Sequence, residues 1–143
     1  MIWFKKYTLE EVNSIFDKYM TKYLDIKAIE IRDDSIIATM PITDKVRQPF
    51  GILHGGASVV LAESIGSVAS NLAIDSERYA GVGLDINANH VRSASQGTLK
   101  AICSPLHIGK TTHVWDIKMY DDSENLICIS RLTVAIIEKS RLI

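Results

Sequence analysis

Apolar residues recur along this chain with two different periods, and the change of period predicts where helices give way to strands. From Leu9 to Leu24 they return every three or four residues, which is typical of a helix with one apolar face. Thr8 and Glu11 occupy the two positions of a capping box. The pattern therefore predicts an amphipathic helix over residues 8–23 that lies on an apolar surface.

The next segments change to the pattern of strands and then return to a helix. Residues 26–32 and 35–42 are predicted strands joined by an aspartate turn, and residues 43–54 are a predicted loop interrupted by proline and glycine. A long apolar helix is predicted at about 55–75. Glu63 is its one charged residue before the C-terminal end, and burying a charge is costly unless it is paired or used.

Four more strands are predicted after this helix, with turn-forming residues between them. Their connections are short, so neighbouring strands are expected to run antiparallel. The order of helix, two strands, long helix and four strands indicates an α+β fold, with one sheet wrapped around one apolar helix in a single domain of residues 1–143. The four predicted strands are 79–92, 96–105, 111–121 and 125–138.

The predicted strand at 79–92 ends in two polar residues of interest. Strict alternation gives it a core face of four apolar residues and continues that face into His90 and Arg92. The plainer interpretation is that the strand leaves the core there and its last side chains are solvated. The four apolar residues of this face are Val82, Leu84, Ile86 and Ala88.

Composition narrows the functional classes. Of the 143 residues, 47% are apolar and 23% are charged, and the net charge is −1, which gives no basis for binding nucleic acid or a membrane. Cys103 and Cys128 lie in strand-like runs without metal-ligand spacing. They are expected to be reduced core residues, in keeping with a cytoplasmic protein.

Several catalytic machineries are missing from the sequence. It contains neither a G-x-S-x-G elbow nor an H-E-x-x-H motif, and its four histidines do not cluster, so no metal site is expected. The run from Gly109 to Thr111 is similar to the end of a phosphate-binding loop. Ser104 replaces the first glycine of that motif, however, and a strand follows it where the motif requires a helix.

The start of the predicted central helix carries the remaining candidate chemistry. Its free N–H groups at Gly55 and Gly56 suit a carbonyl oxygen that gains negative charge, as in acyl transfer. Glu63 is a candidate nucleophile or general base. Ser67 lies one turn further along the same helix face, where its hydroxyl can orient a water molecule.

Helix length separates these two halves of a site. Gly55 and Glu63 are eight residues apart. That separation is about 12 Å of helix, too far for one chain to present both groups to the same carbonyl. Two such helices, antiparallel about a two-fold axis, bring the start of one to the middle of the other. We therefore expect any site here to be shared within a homodimer.

Each candidate residue also has a purely structural interpretation. Gln48 is suited to a loop, His54 to capping the helix, and the glycines to forming the turn. A buried ion pair would account for Glu63. An ordinary surface turn would account for His107 and Lys110.

The segment from Gln48 to Ser67 (QPFGILHGGASVVLAESIGS), with NANHVR at 87–92, resembles the hotdog-fold acyl-CoA thioesterases. Its helix carries glutamate, as in one branch of that family. Within the branch it is similar to the bacterial 1,4-dihydroxy-2-naphthoyl-CoA hydrolases of menaquinone synthesis and to the proofreading thioesterase of enterobactin synthesis. The resemblance covers nearly the whole chain. It implies a strongly curved antiparallel sheet around a central helix, in dimers that pair into homotetramers.

The resemblance also implies roles for individual residues. Glu63 matches the nucleophile or general base, and Ser67 the hydroxyl that places water, both on one subunit. Gly55 matches the N–H that polarises the thioester carbonyl, assisted by Gln48 and His54, on the other subunit. The positions that match contacts to coenzyme A are Gly83, His90, Val91, Arg92, Ser93, His107, Ile108, Gly109, Lys110, Thr111 and Thr112.

The expected function is hydrolysis of an aromatic acyl-CoA thioester, most plausibly 1,4-dihydroxy-2-naphthoyl-CoA, with no cofactor beyond the coenzyme A of the substrate. One alternative is a thioesterase that acts on acyl groups held by an acyl carrier protein. Another is a hotdog module that binds acyl-CoA without turnover. The intact set of Glu63, Gln48 and His54 argues against this last alternative.

Overall fold

The long helix α3, Gly55–Leu72, is the centre of the structure. Its inward side carries Leu61, Ile65, Ala69 and Leu72, all buried. Burial of each of the larger side chains contributes about 1.5–3 kcal/mol. Strands from across the sheet pack against this side of α3, and this confirms the predicted arrangement of one sheet around one apolar helix.

The computed structural model describes residues 1–142, in which six strands form one antiparallel sheet in the order β1-β2-β4-β5-β6-β3. The α+β class is thereby confirmed. No helix in this described part is long and apolar enough to cross a membrane. The strands are β1 Lys27–Ile31, β2 Ile36–Pro41, β3 Tyr79–His90, β4 Thr98–Ile108, β5 Thr112–Tyr120 and β6 Leu126–Glu138.

The predicted helix over 8–23 is two helices, α1 (Leu9–Phe16) and α2 (Tyr19–Tyr23). The capping box is confirmed, because the Thr8 hydroxyl accepts from the Glu11 N–H and the Glu11 carboxylate accepts from the Thr8 N–H. The predicted continuous apolar face is wrong, because Leu9 and Ile15 of α1 are exposed and so are the apolar residues of α2. Tyr19 takes a φ of 51° and its side chain is 91% exposed, so the chain turns away from the core after α1.

The predicted face of β3 is wrong at its centre, because the strand contains a β-bulge. The register with β6 shifts between Gly83 and Asp85, which makes Leu84 the extra residue. Leu84 is 69% exposed instead of buried. The bulge reverses the alternation, so Gly81 and Gly83 rather than Val82 and Leu84 meet α3.

The prediction that β4 ends at Pro105 is also wrong. β4 continues to Ile108, with a register shift between Pro105 and His107. A proline is tolerated here because β2 pairs with β4 only as far as Cys103, so β4 is an edge strand at Pro105. The other strands begin and end within two residues of their predicted limits.

A buried polar group joins α3 to β5. The indole N–H of Trp115 donates to the hydroxyl oxygen of Ser70 at 2.7 Å, and Nδ1 of His113 lies 3.1 Å from the same oxygen. Because the hydroxyl already accepts from Trp115, its own proton is available to His113. All three side chains are buried, and burial lowers the pKa of His113.

Candidate active site

The first turn of α3 is capped by the residue that precedes it. Nδ1 of His54 accepts a hydrogen bond of 2.8 Å from the N–H of Gly56. In the neutral ring the proton is therefore on Nε2. The cap leaves the N–H of Gly55 free, since within residues 1–142 no hydrogen bond involves it. The predicted capping role of His54 is confirmed, and a free N–H donor remains beside it.

Gln48 approaches this helix start through a tight turn of its own. Its side-chain Oε1 accepts a hydrogen bond from the N–H of Phe50, and its own N–H donates to the carbonyl of Ile52 at 2.9 Å. With Oε1 held in this way, the carboxamide NH₂ remains as a donor. Gln48 thus stabilises its loop through Oε1, while the N–H groups of its side chain are still available as donors.

Gly55 lies under the ring of His90. A Cβ at position 55 would be 2.8 Å from Nε2 of His90, closer than real Cβ atoms approach other atoms. A larger residue at position 55 would therefore displace the ring of His90 from the start of α3. His90 is on the face of β3 that meets α3, as predicted, although its side chain is exposed.

A cavity of about 410 Å³ lies beside this helix start. Gln48 and Gly55 form one side of it, and the segment His90–Ser93 forms another. The structure therefore places two predicted groups of residues at one cavity. Gln48 and Gly55 belong to the group expected to polarise the carbonyl, and His90–Ser93 is one of the segments that match coenzyme A contacts. Arg92 is exposed and takes part in no ion pair within residues 1–142.

Glu63 lies elsewhere on α3, against Gly83 of β3. A Cβ at position 83 would overlap the carboxylate Oε1 and would lie 3.4 Å from Cδ of Glu63. Glu63 is exposed in the single chain and forms no ion pair with another described residue. The alternative of a buried ion pair is therefore wrong. Ser67 is half-buried one turn further along.

The third predicted group is at the turn between β4 and β5. His107 and Ile108 belong to β4 rather than to the turn, and Thr112 begins β5. The ring of His107 covers Gly109, where a Cβ would lie 2.6 Å from Nε2. The remaining turn residues, Lys110 and Thr111, are exposed.

The cavity beside Gly55 does not contain all the predicted residues. Its lining does not include Glu63, Ser67 or Gly83. The β4–β5 turn does not line it either. One chain thus carries an electrophilic half-site at the start of α3 and a carboxylate half-site at its middle. This separation agrees with the distance expected from the sequence.

Sequence reasoning missed one residue that joins the carboxylate half-site to the sheet. Asn71 bonds both backbone groups of Gly81 and the carbonyl of Ser67. A signal was present, since Glu63, Ser67 and Asn71 are spaced four residues apart and so form one polar stripe on an apolar helix.

A curved antiparallel sheet wrapped on one long helix, with the helix start open to a cavity, defines a hotdog fold. Residues 50–128 match the family model described as the thioesterase superfamily. The chain belongs to this family and is a thioester hydrolase, so the alternative of a module without turnover is wrong.

Individual relatives cover almost the whole chain. The 1,4-dihydroxy-2-naphthoyl-CoA hydrolase of Escherichia coli (strain K12) is 53% identical over 137 residues, which are 96% of this chain and 100% of that protein. The proofreading thioesterase EntH of Cronobacter sakazakii is 42% identical, over 96% of this chain and 99% of that one. A crystal structure of a mutant of thioesterase PA1618 from Pseudomonas aeruginosa superimposes with a TM-score of 0.94, at 43% identity, covering 96% and 99% of the two chains.

Proposed function

We propose that this thioesterase hydrolyses an aromatic acyl-CoA, with 1,4-dihydroxy-2-naphthoyl-CoA as its substrate in menaquinone synthesis. The observation that carries the proposal is the pair of half-sites on α3. Within residues 1–142 the N–H of Gly55 is a free donor and the carboxylate of Glu63 is unpaired. The choice of acyl group is supported by the 53% identity to the Escherichia coli hydrolase.

In the proposed reaction the thioester carbonyl points at the N–H of Gly55. Charge that develops on its oxygen is stabilised by this N–H and by the dipole at the helix start. The carboxamide NH₂ of Gln48 and Nε2–H of His54 are further donors at this end. Glu63 of the other subunit attacks the carbonyl carbon or removes a proton from an attacking water that Ser67 orients. The carbon–sulfur bond then breaks, and coenzyme A leaves as its thiolate, which takes up a proton from protonated Glu63 or from water. Where Glu63 itself has attacked, water then hydrolyses the mixed anhydride and releases the acid and the Glu63 carboxylate.

The edge of β3 offers a way to bring the half-sites together. β3 is the last strand of the sheet, so one of its edges is open. Gly83 and His90 both face α3, and they lie seven residues apart along β3. If β3 pairs antiparallel with β3 of a second copy about an axis at Asn87, Asp85 faces Asn89 of the partner subunit. Because Leu84 is the extra residue of the bulge, the next pair is Gly83 with the partner's His90.

That register completes the proposed site. Within each chain, Gly83 lies next to the carboxylate of Glu63, and His90 lies next to Gly55. Glu63 of one subunit is thereby brought to Gly55 of the partner subunit, and a symmetric dimer holds two such sites. The pairing of dimers into tetramers stays a prediction from the family resemblance.

For the coenzyme A part of the substrate we propose contacts from three regions of the chain. The first region lines the cavity beside Gly55 and consists of His90, Val91, Arg92 and Ser93. Gly83 lies where the carboxylate meets the sheet. Lys110, on the exposed β4–β5 turn, is a cation that suits phosphate. The remaining proposed contacts of this turn are His107, Ile108, Gly109, Thr111 and Thr112. A cytoplasmic location also stays a prediction, and it is consistent with the free thiols of Cys103 and Cys128.

A second candidate substrate is an aryl group carried by an acyl carrier protein. The observation that favours it is the 42% identity to the proofreading thioesterase EntH over nearly the whole of both chains. The same half-sites would serve it, because the reacting thioester is the same.

Comparison of kcat/KM for the same aryl group on coenzyme A and on a carrier protein tests the proposal. The coenzyme A thioester is expected to have the higher value, and 1,4-dihydroxy-2-naphthoyl-CoA the highest in a panel of acyl-CoA substrates. A higher value for the carrier substrate would favour the second candidate. Separately, single turnover in oxygen-18 water distinguishes the two roles of Glu63, since label enters its carboxylate only if an anhydride forms.

A further inference from the structure

From its hydrogen bonds we infer that Asn71 is a positioning residue for the carboxylate of Glu63. The inference rests on the proposed function, in which Glu63 is the group that attacks or activates water. Asn71 touches neither the cavity nor Glu63, and it acts through the spacing between α3 and β3.

The carboxamide of Asn71 is fully used. Nδ2 donates to the carbonyl of Ser67 at 2.8 Å and to that of Gly81 at 3.0 Å, and Oδ1 accepts from the N–H of Gly81 at 2.9 Å. Both backbone groups of one β3 residue are therefore held by one side chain of α3. This ties the helix to the strand at a fixed distance.

The space between α3 and β3 is narrow at Gly81. A Cβ there would lie 3.1 Å from Cβ of Ser70 on α3 and 3.1 Å from Cγ1 of Val134 on β6. Two residues further along β3, the carboxylate of Glu63 fills the space beside Gly83. Any retreat of α3 from β3 would move Glu63 off Gly83. A displacement of about 1 Å at a reacting group costs up to about 100-fold in rate.

The chain contains a matched control on the opposite side of the sheet. Asn13 of α1 makes the same pair of bonds to Ala28 of β1, with Nδ2 to the carbonyl at 2.9 Å and Oδ1 from the N–H at 2.8 Å. Both asparagines are half-buried. Of the two asparagines, only Asn71 lies on the helix that carries Glu63. Comparing substitutions at the two positions therefore separates an effect on the position of Glu63 from a general loss of stability.

The test compares Asn71→Asp with Asn13→Asp, using benzoyl-CoA and detection of the released thiol. Aspartate keeps the acceptor, loses the Nδ2 donor and repels the carbonyls. Both variants are expected to unfold at lower temperature than the parent protein. For Asn71→Asp alone we expect kcat to fall about tenfold with KM within about twofold, at a temperature where both remain folded dimers.

Two further variants make each outcome decisive. Gly81→Ala adds a Cβ 3.1 Å from Cβ of Ser70 and 3.2 Å from Nδ2 of Asn71. It therefore crowds the same junction of α3 and β3 and is expected to lower kcat similarly, and it serves if Asn71→Asp does not fold. Unchanged kcat in the folded Asn71 or Gly81 variant overturns the inference. Glu63→Gln is measured in parallel, and full activity there overturns both the inference and the proposed role of Glu63. An inactive Glu63→Gln beside a fully active Asn71→Asp overturns the inference alone.

Discussion

The carboxylate of Glu63 rests directly on the backbone of Gly83, with no side chain between the central helix and the strand. This contact joins a residue of α3 to the bulged part of β3, at the open edge of the sheet. A Cβ at position 83 would occupy the position of a carboxylate oxygen, so any larger residue there would displace the carboxylate. The contact thereby places the carboxylate beside Gly83 of β3.

Replacement of Glu63 by glutamine removes the charge and keeps the shape. Because Glu63 is exposed in the single chain and unpaired within residues 1–142, the fold should not depend on it. We expect kcat to fall by about 10²–10⁴-fold, the range typical of an acid–base group. Thiol release from an aromatic acyl-CoA measures this, with the melting temperature as control. Turnover like that of the parent protein would remove Glu63 from the mechanism.

Gly83→Ala should reduce activity through Glu63. The added methyl group displaces the carboxylate, and we expect kcat to fall about 10- to 100-fold. The double variant Gly83→Ala/Glu63→Gln supplies the control, because it should be no slower than Glu63→Gln alone. Additive losses in the double variant would mean that Gly83 contributes in another way.

The proposed pairing of two β3 strands predicts a specific cross-link. Asn87 lies at the two-fold axis in that register, where directly opposed Cβ atoms are about 4.5–5.5 Å apart, close to disulfide range. Asn87→Cys should therefore form a covalent dimer under mild oxidation, seen on a non-reducing gel. Asn89→Cys is the control, since it faces Asp85 of the partner subunit and should remain unlinked. Efficient linking through position 89 instead would contradict the register.

The buried His113 predicts a pH dependence of stability. Burial lowers its pKa from 6.5, so the unfolded chain binds a proton at a higher pH than the folded one. The free energy of unfolding should fall as the pH drops below about 6.5 and continue to fall until the folded state is also protonated. Urea unfolding between pH 7.5 and 5.5 measures this. His113→Gln should show a weaker dependence over this window, and an equal slope in the two proteins would exclude His113 as its source.

Most of the fold was predictable because the sequence is locally consistent. The apolar stretch between Ala57 and Leu72 could only be a buried helix, and the later segments alternate cleanly. The bulge at Leu84 was not predictable, since Val82, Leu84 and Ile86 continue the alternation of apolar residues across it and so hide the change of face. The break before Tyr19 was missed because its aromatic side chain continues the helical period while pointing into solvent.

The candidate site was predictable only in part. The distance between Gly55 and Glu63 follows from helix geometry, and the structure agrees with it. The contact of His90 with Gly55 and that of Glu63 with Gly83 depend on which strand packs on which turn of α3. Such contacts between distant residues are not encoded in spacing along the chain. Asn71 was missed for the same reason, because its partner Gly81 lies in a different element.

The central claim is that each site combines Glu63 of one subunit with Gln48, His54 and Gly55 of the other. Complementation between two inactive variants, Glu63→Gln and Gln48→Ala, tests it most directly. Unfolded together and refolded, they should regain about a quarter of the parent activity, because half of the dimers are mixed and each mixed dimer holds one intact site. If the mixture stays as inactive as its separate components, the site is not shared between subunits.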